Sequence, residues 1–286
     1  MKNNIEKIHK LELFILDKFI EVCDKYNLRW FADSGTLLGA IREGKMIQWD
    51  DDIDVVMLRE DYNKLLKIGT TEFKSPFFLQ SNETDRYTYT FSKLRFSDST
   101  ILEVNDYASN DYNHAFNKGI FIDIFVLDAV PEKEDEFTSL QMMMRYIYNY
   151  STANSYDKKT CLMHNISRSK DVFRELNWLL SENSRKYANS KYLANLYFDK
   201  MTDYRNVVLY RDDYSSYKEI DFDGLKHKLR IPVGYERILR TWYGDDWKIP
   251  KQFTSCHSVD SAFYDTEKSY KEYEKLTFDE YMKLFK

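Results

Sequence analysis

Cysteine is scarce in this 286-residue chain: there are three, Cys23, Cys161 and Cys256, widely spaced and odd in number. That pattern excludes a disulfide framework and a cysteine-based zinc site, and leaves three structural thiols. Histidine is equally thin, with five scattered residues and no pair at the i,i+4 spacing that puts two imidazoles on one helix face. No run approaches the roughly 20 apolar residues needed to cross a bilayer. Glu12 and Asp17 interrupt the apolar residues that follow MKNNIEKIHK, so no secretory leader is expected. A basic excess is also missing: 42 Lys and Arg stand against 47 Asp and Glu, a net charge of −5, which argues against broad nucleic-acid binding. Internal repeats and low-complexity tracts are absent. What is left is ordinary globular composition, 43% apolar and 31% charged, expected in the cytoplasm. The length suits one large domain or a catalytic domain with a helical extension. The 23 Tyr and 19 Phe would suit contact with a quaternary ammonium, although core packing and coding bias explain them more simply.

The informative stretch is DSGTLLGAIREGKMIQWDDDIDVVM, residues 33–57. Its end reads as a strand, because Ile53, Val55 and Val56 are β-branched and Asp52 and Asp54 flank an apolar residue. Side chains two apart share a strand face, so the two carboxylates project together while Ile53 and Val55 bury. Carboxylates held that close repel unless a cation lies between them, and all-oxygen ligation suits Mg²⁺, with Mn²⁺ as the substitute ion. Asp50 stands beside them as a further candidate ligand. A solvated acidic loop would not need the apolar IDVVM that follows. A calcium loop fails where Val55 replaces its glycine and Asp61 its final glutamate. Spacing alone leaves a sugar-nucleotide-gripping D-x-D of the glycosyltransferase type open. Upstream, Ser34-Gly35-Thr36 leads into a short helix through Arg42; Gly35 permits close approach of a ligand, and the first-turn amides favour a phosphate. An ordinary helix cap is the plainer reading of that turn.

Residues 3–27 form the clearest helix, with apolar residues from Ile5 to Tyr26 spaced by three and four. Leu28–Ala32 reads as a strand, 60–68 as a helix ended by Gly69, and 77–105 as β-rich, with strands at 77–80, 87–96 and 101–104. Lys93 and Arg95 share one strand face, where they could neutralise a diphosphate or merely protect an edge. Residues 119–128 form an apolar strand with Asp123 at its centre, a costly placement without a cation or hydrogen-bond donors nearby. A buried structural aspartate is the alternative. Residues 133–152 and 168–199 are helical by pattern, 150–170 reads as a linker, 206–210 as a strand and the last 25 residues as a surface helix or tail.

The run GTLLGAIREGKMIQWDDDIDVVMLREDY resembles the signature of the LicD-type transferases, a branch of the nucleotidyltransferase superfamily related to DNA polymerase beta. Glu43 stands where that family usually has His, and Ile47-Gln48 where it has Ile-Pro. Gly119–Asp128 is similar to the family's GIFIDIFPLD block with Val126 for Pro, and Lys93-Leu94-Arg95 with Thr100 is similar to another. Tyr243-Gly244-Asp245 resembles its closing segment, but a lone His257 replaces the usual His cluster, so no catalytic work is assigned there. The resemblance implies a mixed α/β core over residues 1–130, with a mainly helical region over 131–286 of which 220–250 packs back on the core. It implies Asp52, Asp54 and Asp123 as catalytic metal ligands, and Gly35, Thr36, Arg42, Lys93 and Arg95 as the grip on the donor. That donor would be a CDP-linked choline, glycerol or ribitol phosphate. The acceptor would be a cell-surface glycan precursor, lipid-linked, of a teichoic acid, capsule or lipopolysaccharide. Peripheral contact at the inner face of the membrane is implied with it. The competing readings are a nucleotidyltransferase that moves NMP to a small acceptor and a binding module without turnover.

Overall fold

The computed structural model describes residues 5–85, 90–104, 116–152, 170–196, 208–251 and 262–285. Residues 87–89 of the expected strand, most of the 150–170 linker, residues 206–207, Cys161, Cys256 and His257 lie outside these segments. Helix α1, Ile5–Lys25, forms where the periodicity places it, with Ile8, Ile15, Phe19 and Val22 buried on one side. Strand β1 is only Phe31–Ala32, because the Leu28 amide is taken by the Cys23 carbonyl as α1 closes. Helix α2, Ser34–Arg42, strand β2, Asp54–Leu58, and helix α3, Arg59–Glu72, follow. Gly69 does not end α3, which runs on to Glu72. It is the point where strand β3 comes close: a Cβ there would lie 2.1 Å from Leu79 Cδ2.

Strands β3 (Phe77–Gln80), β4 (Ser92–Phe96) and β6 (Ile120–Ala129) complete the central sheet, in the order β1-β2-β6-β4-β3. Only β2 and β6 run parallel; the other pairs are antiparallel. Helices α1 and α3 lie side by side, joined by Lys25–Glu72, and touch the same face of β4: Phe14 packs edge-on to Phe96, and Tyr62 Oη lies 2.7 Å from Ser92 Oγ. Lys93 and Arg95 point to the other face.

Beyond residue 130 come helices α4 (Glu134–Thr152) and α5 (Lys170–Lys186). The helix expected over 168–199 stops at Lys186. Tyr192–Ala194 forms β7, which pairs with the end of β6 and with β8, Val208–Tyr210, because the open edge of β6 offers partners that an apolar helical pattern does not reveal. Strands β9 (Tyr217–Ile220) and β10 (Leu229–Pro232) form a ribbon, and helix α6 spans Tyr235–Tyr243. Leu229, Ile231, Ile238, Leu239 and Trp247 join the same apolar core as α1 and the sheet. Strand β11 (Ala262–Asp265) pairs with β5 (Thr100–Glu103), and α7 spans Phe278–Lys283. These last residues are thus not a surface tail. Tyr270 and Tyr281 are buried, and Tyr281 donates its hydroxyl to the Glu103 carbonyl. Their surrounding Lys and Glu disguise them in the sequence. Among the described residues no helix is long and apolar enough to cross a membrane.

One buried ion pair ties three of these layers together. Arg59 of α3 donates Nε and Nη2 to the two carboxylate oxygens of Asp128 on β6, both at 2.7 Å, and Nη1 to Asn177 of α5 at 3.3 Å. Removing one partner leaves the other charge stranded. Asp128→Ala is therefore expected to cost about 3–5 kcal/mol in urea unfolding, whereas the double change Arg59→Met with Asp128→Leu stays within about 2 kcal/mol of the parent. Equal losses in the two proteins would show that the pair does not carry this stability.

Candidate active site

Sheet register assembles the site. The parallel pairing of β2 with β6 sets Asp54 directly across from Asp123, and the antiparallel pairing of β6 with β4 sets Lys93 across from Asp123 on its other side. The three side chains form one row on one sheet face. Lys93 Nζ lies 2.6 Å from Asp123 Oδ1 and 3.4 Å from the centre of the Phe121 ring. Asp52, two residues before β2, completes a group with Asp54 and Asp123 whose ligand oxygens all lie within 4.8 Å of one another. The alternating apolar residues Ile53 and Val55 are fully buried, which prevents a slip that would turn the carboxylates to the other face.

The turn into α2 holds these groups from behind. Thr36 Oγ1 accepts the Asp54 amide at 2.8 Å, and the Asp33 amide donates to the Asp54 carbonyl at 3.1 Å. Ser34 adopts a left-handed φ of 48° at the turn. A Cβ on Gly35 would lie 2.1 Å from Asp50 Oδ2, so any other residue there requires the Asp50 carboxylate to shift. The structure thus places Gly35 and Thr36 against the acidic loop, where they position Asp50 and Asp54. Arg42, at the end of α2, donates Nε and Nη2 to Glu43 at 3.2 and 2.6 Å. Arg95 shares the face of Lys93, but donates Nε to Gln80 and Nη1 to the Gly119 carbonyl, both at 2.6 Å, and so binds β3, β4 and the start of β6 to one another.

Charge is concentrated here. Burial pushes the Asp33 and Asp50 carboxyls up to about 6. Asp52 and Asp54 are pushed well above the usual carboxylate range, first by burial and then by neighbours, chiefly Asp50 and Asp123 for Asp52, and Asp52 and Asp123 for Asp54. Burial lowers the Lys93 ammonium more than Asp123 raises it. Asp123 is buried and Asp52 and Asp54 are half-buried, and three converging carboxylates of this kind could hold a hard divalent ion.

Other groups were not assigned to the site from sequence. Glu12 of α1 is 1% exposed and lies among the electrostatic neighbours of this cluster. Its signal was available: position 12 falls on the stripe of Ile8, Ile15 and Phe19. His9, one turn earlier, has Nε2 2.6 Å from the Asp50 carbonyl. Tyr243 closes α6 beside Asp54, Asp33, Asp50 and Asp52, and burial raises its hydroxyl pKa. Tyr264 of β11 donates to Asp51 Oδ2 at 3.2 Å, a contact across more than 200 residues that no local motif signals.

Residues 27–143 match the family model described as LicD/FKTN/FKRP, nucleotidyltransferase domain. The chain is 26% identical over 265 residues to the lipopolysaccharide cholinephosphotransferase LicD of Haemophilus influenzae, a match that covers 88% of this chain and 94% of that protein. An uncharacterized protein of Rickettsia prowazekii is 32% identical over 114 residues, 39% of this chain and 37% of its own length. The matched region contains α2, the acidic loop, β2, β4 and β6, so the family model and the sheet register single out the same segment, residues 27–143, as similar to the LicD-type nucleotidyltransferase domain.

Proposed function

We propose that this protein moves a phospho-substituent, phosphocholine or a polyol phosphate such as glycerol or ribitol phosphate, from a CDP-linked donor to a hydroxyl of a lipid-linked cell-surface glycan, releasing CMP. The observation that carries the reading is the row Asp54–Asp123–Lys93 with Asp52 at its end. The name of the Haemophilus relative supports choline phosphate as cargo and a lipopolysaccharide as acceptor. Asp52, Asp54 and Asp123, with Asp50 adjacent, would hold Mg²⁺ or Mn²⁺. Such an ion supplies charge for the phosphate oxygens and the departing nucleotide. Asp123 stands between the metal ligands and Lys93, where its second oxygen can accept the proton of the attacking hydroxyl. Lys93, ion-paired with Asp123, adds a positive charge beside the transferred phosphoryl group. Gly35 and Thr36 act through the carboxylates they position. The sheet face bearing Lys93, opposite α1 and α3, receives the donor.

Incubation with Mg²⁺ and CDP-choline, CDP-glycerol or CDP-ribitol is expected to yield CMP with at least one of them. Asp54→Asn is expected to lower kcat by about 10²–10³-fold or more while circular dichroism stays unchanged. Release of pyrophosphate from a nucleoside triphosphate, with no CMP from any of the three, would replace this reading with nucleotidyl transfer. Stability supplies a separate check. Asp33 and Asp50 hold their protons to about pH 6 when folded, against 3.8 ordinarily, so the folded state binds the extra protons. Their favourable contribution is complete below the ordinary value and lost as pH rises through about 6. In EDTA the melting temperature is expected to fall from about pH 5 to about pH 7.5, and millimolar Mg²⁺ to restore it at the higher pH. A Mg²⁺-independent melting curve at both pH values would contradict the metal assignment.

A further inference from the structure

We propose that Phe121 is the positioning residue for Lys93: its ring face holds the Lys93 ammonium on Asp123, beside the phosphoryl group to be moved. The inference rests on the transfer reading above and adds to it the residue that sets where the cation stands. Phe121 lies two residues before Asp123 on β6, so both side chains leave the same face of the sheet. The register sets Lys93 across from Asp123 and Arg95 across from Phe121, which makes Phe121 the diagonal neighbour of Lys93. The lysine leans along that diagonal: Nζ lies 3.4 Å from the centre of the Phe121 ring while it reaches Asp123 Oδ1 at 2.6 Å. Phe91 is a more distant wall, its ring centre 5.5 Å from the same nitrogen.

A lysine stem is long and flexible, and one carboxylate fixes only how far its tip reaches. The ring adds a second contact that fixes direction. An aromatic face attracts a cation through its quadrupole and carries no net charge. A further carboxylate in the same place would hold Lys93 as firmly, but it would add to the repulsion among Asp52, Asp54 and Asp123 and repel the phosphates of the donor. Burial gives the contact weight, since the Lys93 and Asp123 side chains are 12% and 9% exposed. The ring is itself held. Arg95 Cζ lies 4.7 Å from its centre, and that guanidinium is fixed by Gln80 and by the Gly119 carbonyl, both at 2.6 Å. Arg95 thus acts through Phe121, at one remove from the donor.

The test compares kcat and KM, with the CDP-linked carrier that yields CMP, for the wild type, Phe121→Leu, Phe121→Tyr, Lys93→Ala and the double variant Phe121→Leu with Lys93→Ala. Leucine removes the aromatic face and keeps an apolar side chain. In Phe121→Leu kcat is expected to fall about 10-fold with KM within about 2-fold of wild type, because Lys93 acts on charge that develops in the transition state. Phe121→Tyr restores the ring and is expected to restore kcat. In the Lys93→Ala background Phe121→Leu is expected to cost nothing further, which a general packing defect would not reproduce. Wild-type kcat in Phe121→Leu, a loss confined to KM, no recovery in Phe121→Tyr, or an undiminished loss on top of Lys93→Ala each overturns the proposal and leaves the transfer reading intact. If no carrier yields CMP, the transfer reading falls and the crystal structure of Phe121→Leu decides the clamp: Nζ still at hydrogen-bond distance from Asp123 overturns it, and Nζ swung away upholds it. Should Phe121→Leu not fold, Phe121→Met, an unbranched side chain that fills irregular gaps, takes its place in every comparison.

Discussion

Asp54 and Asp123 face each other across a parallel strand pair, and neither can move away without breaking the ladder that also buries Val55 and Ile124. Carboxylates in solution would separate. Here the backbone hydrogen bonds and the apolar residues between them hold like charges at a spacing that water alone would not maintain. Lys93, fixed opposite Asp123 by the neighbouring strand, offsets part of the repulsion. Burial first, and then the neighbouring carboxylates, push the Asp52 and Asp54 carboxyls well above the usual range.

Much of that centre was legible in the chain. Strand period predicts that Asp52 and Asp54 project together, and they do converge, although β2 begins only at Asp54 and Asp52 reaches the group from the loop before it; Asp123 stands out in the sequence as one carboxylate amid Ile and Phe. The register that joins them was not legible, since which strands become neighbours depends on the crossover through α3 and on the sheet as a whole. Glu12 shows a different limit. It read as an interruption of an apolar segment, whereas its position on the buried stripe of α1 already placed it inside. Gly35 and Thr36 stand against the acidic loop, in contact with Asp50 and with the Asp54 amide, a neighbourhood that the turn sequence alone does not reveal.

The later part of the chain was harder to read for a physical reason. Strands β7 and β11 are short, lack the alternation of a half-buried strand, and exist because an edge of β6 and of β5 is available. Their aromatic and aliphatic residues satisfy a helical pattern equally well until that edge is present. The match to the family model follows the same division, since it ends at residue 143, before β7 and β11 begin. The packing does not respect that boundary: Leu229, Ile231, Ile238 and Leu239 lie in the same apolar core as α1.

Strand β11 brings one further consequence. Tyr264 reaches Asp51, and its strand is held against β5 by residues synthesised more than 150 positions earlier. A nascent chain emerging from the ribosome therefore carries the acidic loop long before the strand that props it arrives. The Tyr264–Asp51 contact therefore forms only after residue 264 has been made, so the acidic loop takes its final support from the late part of the chain.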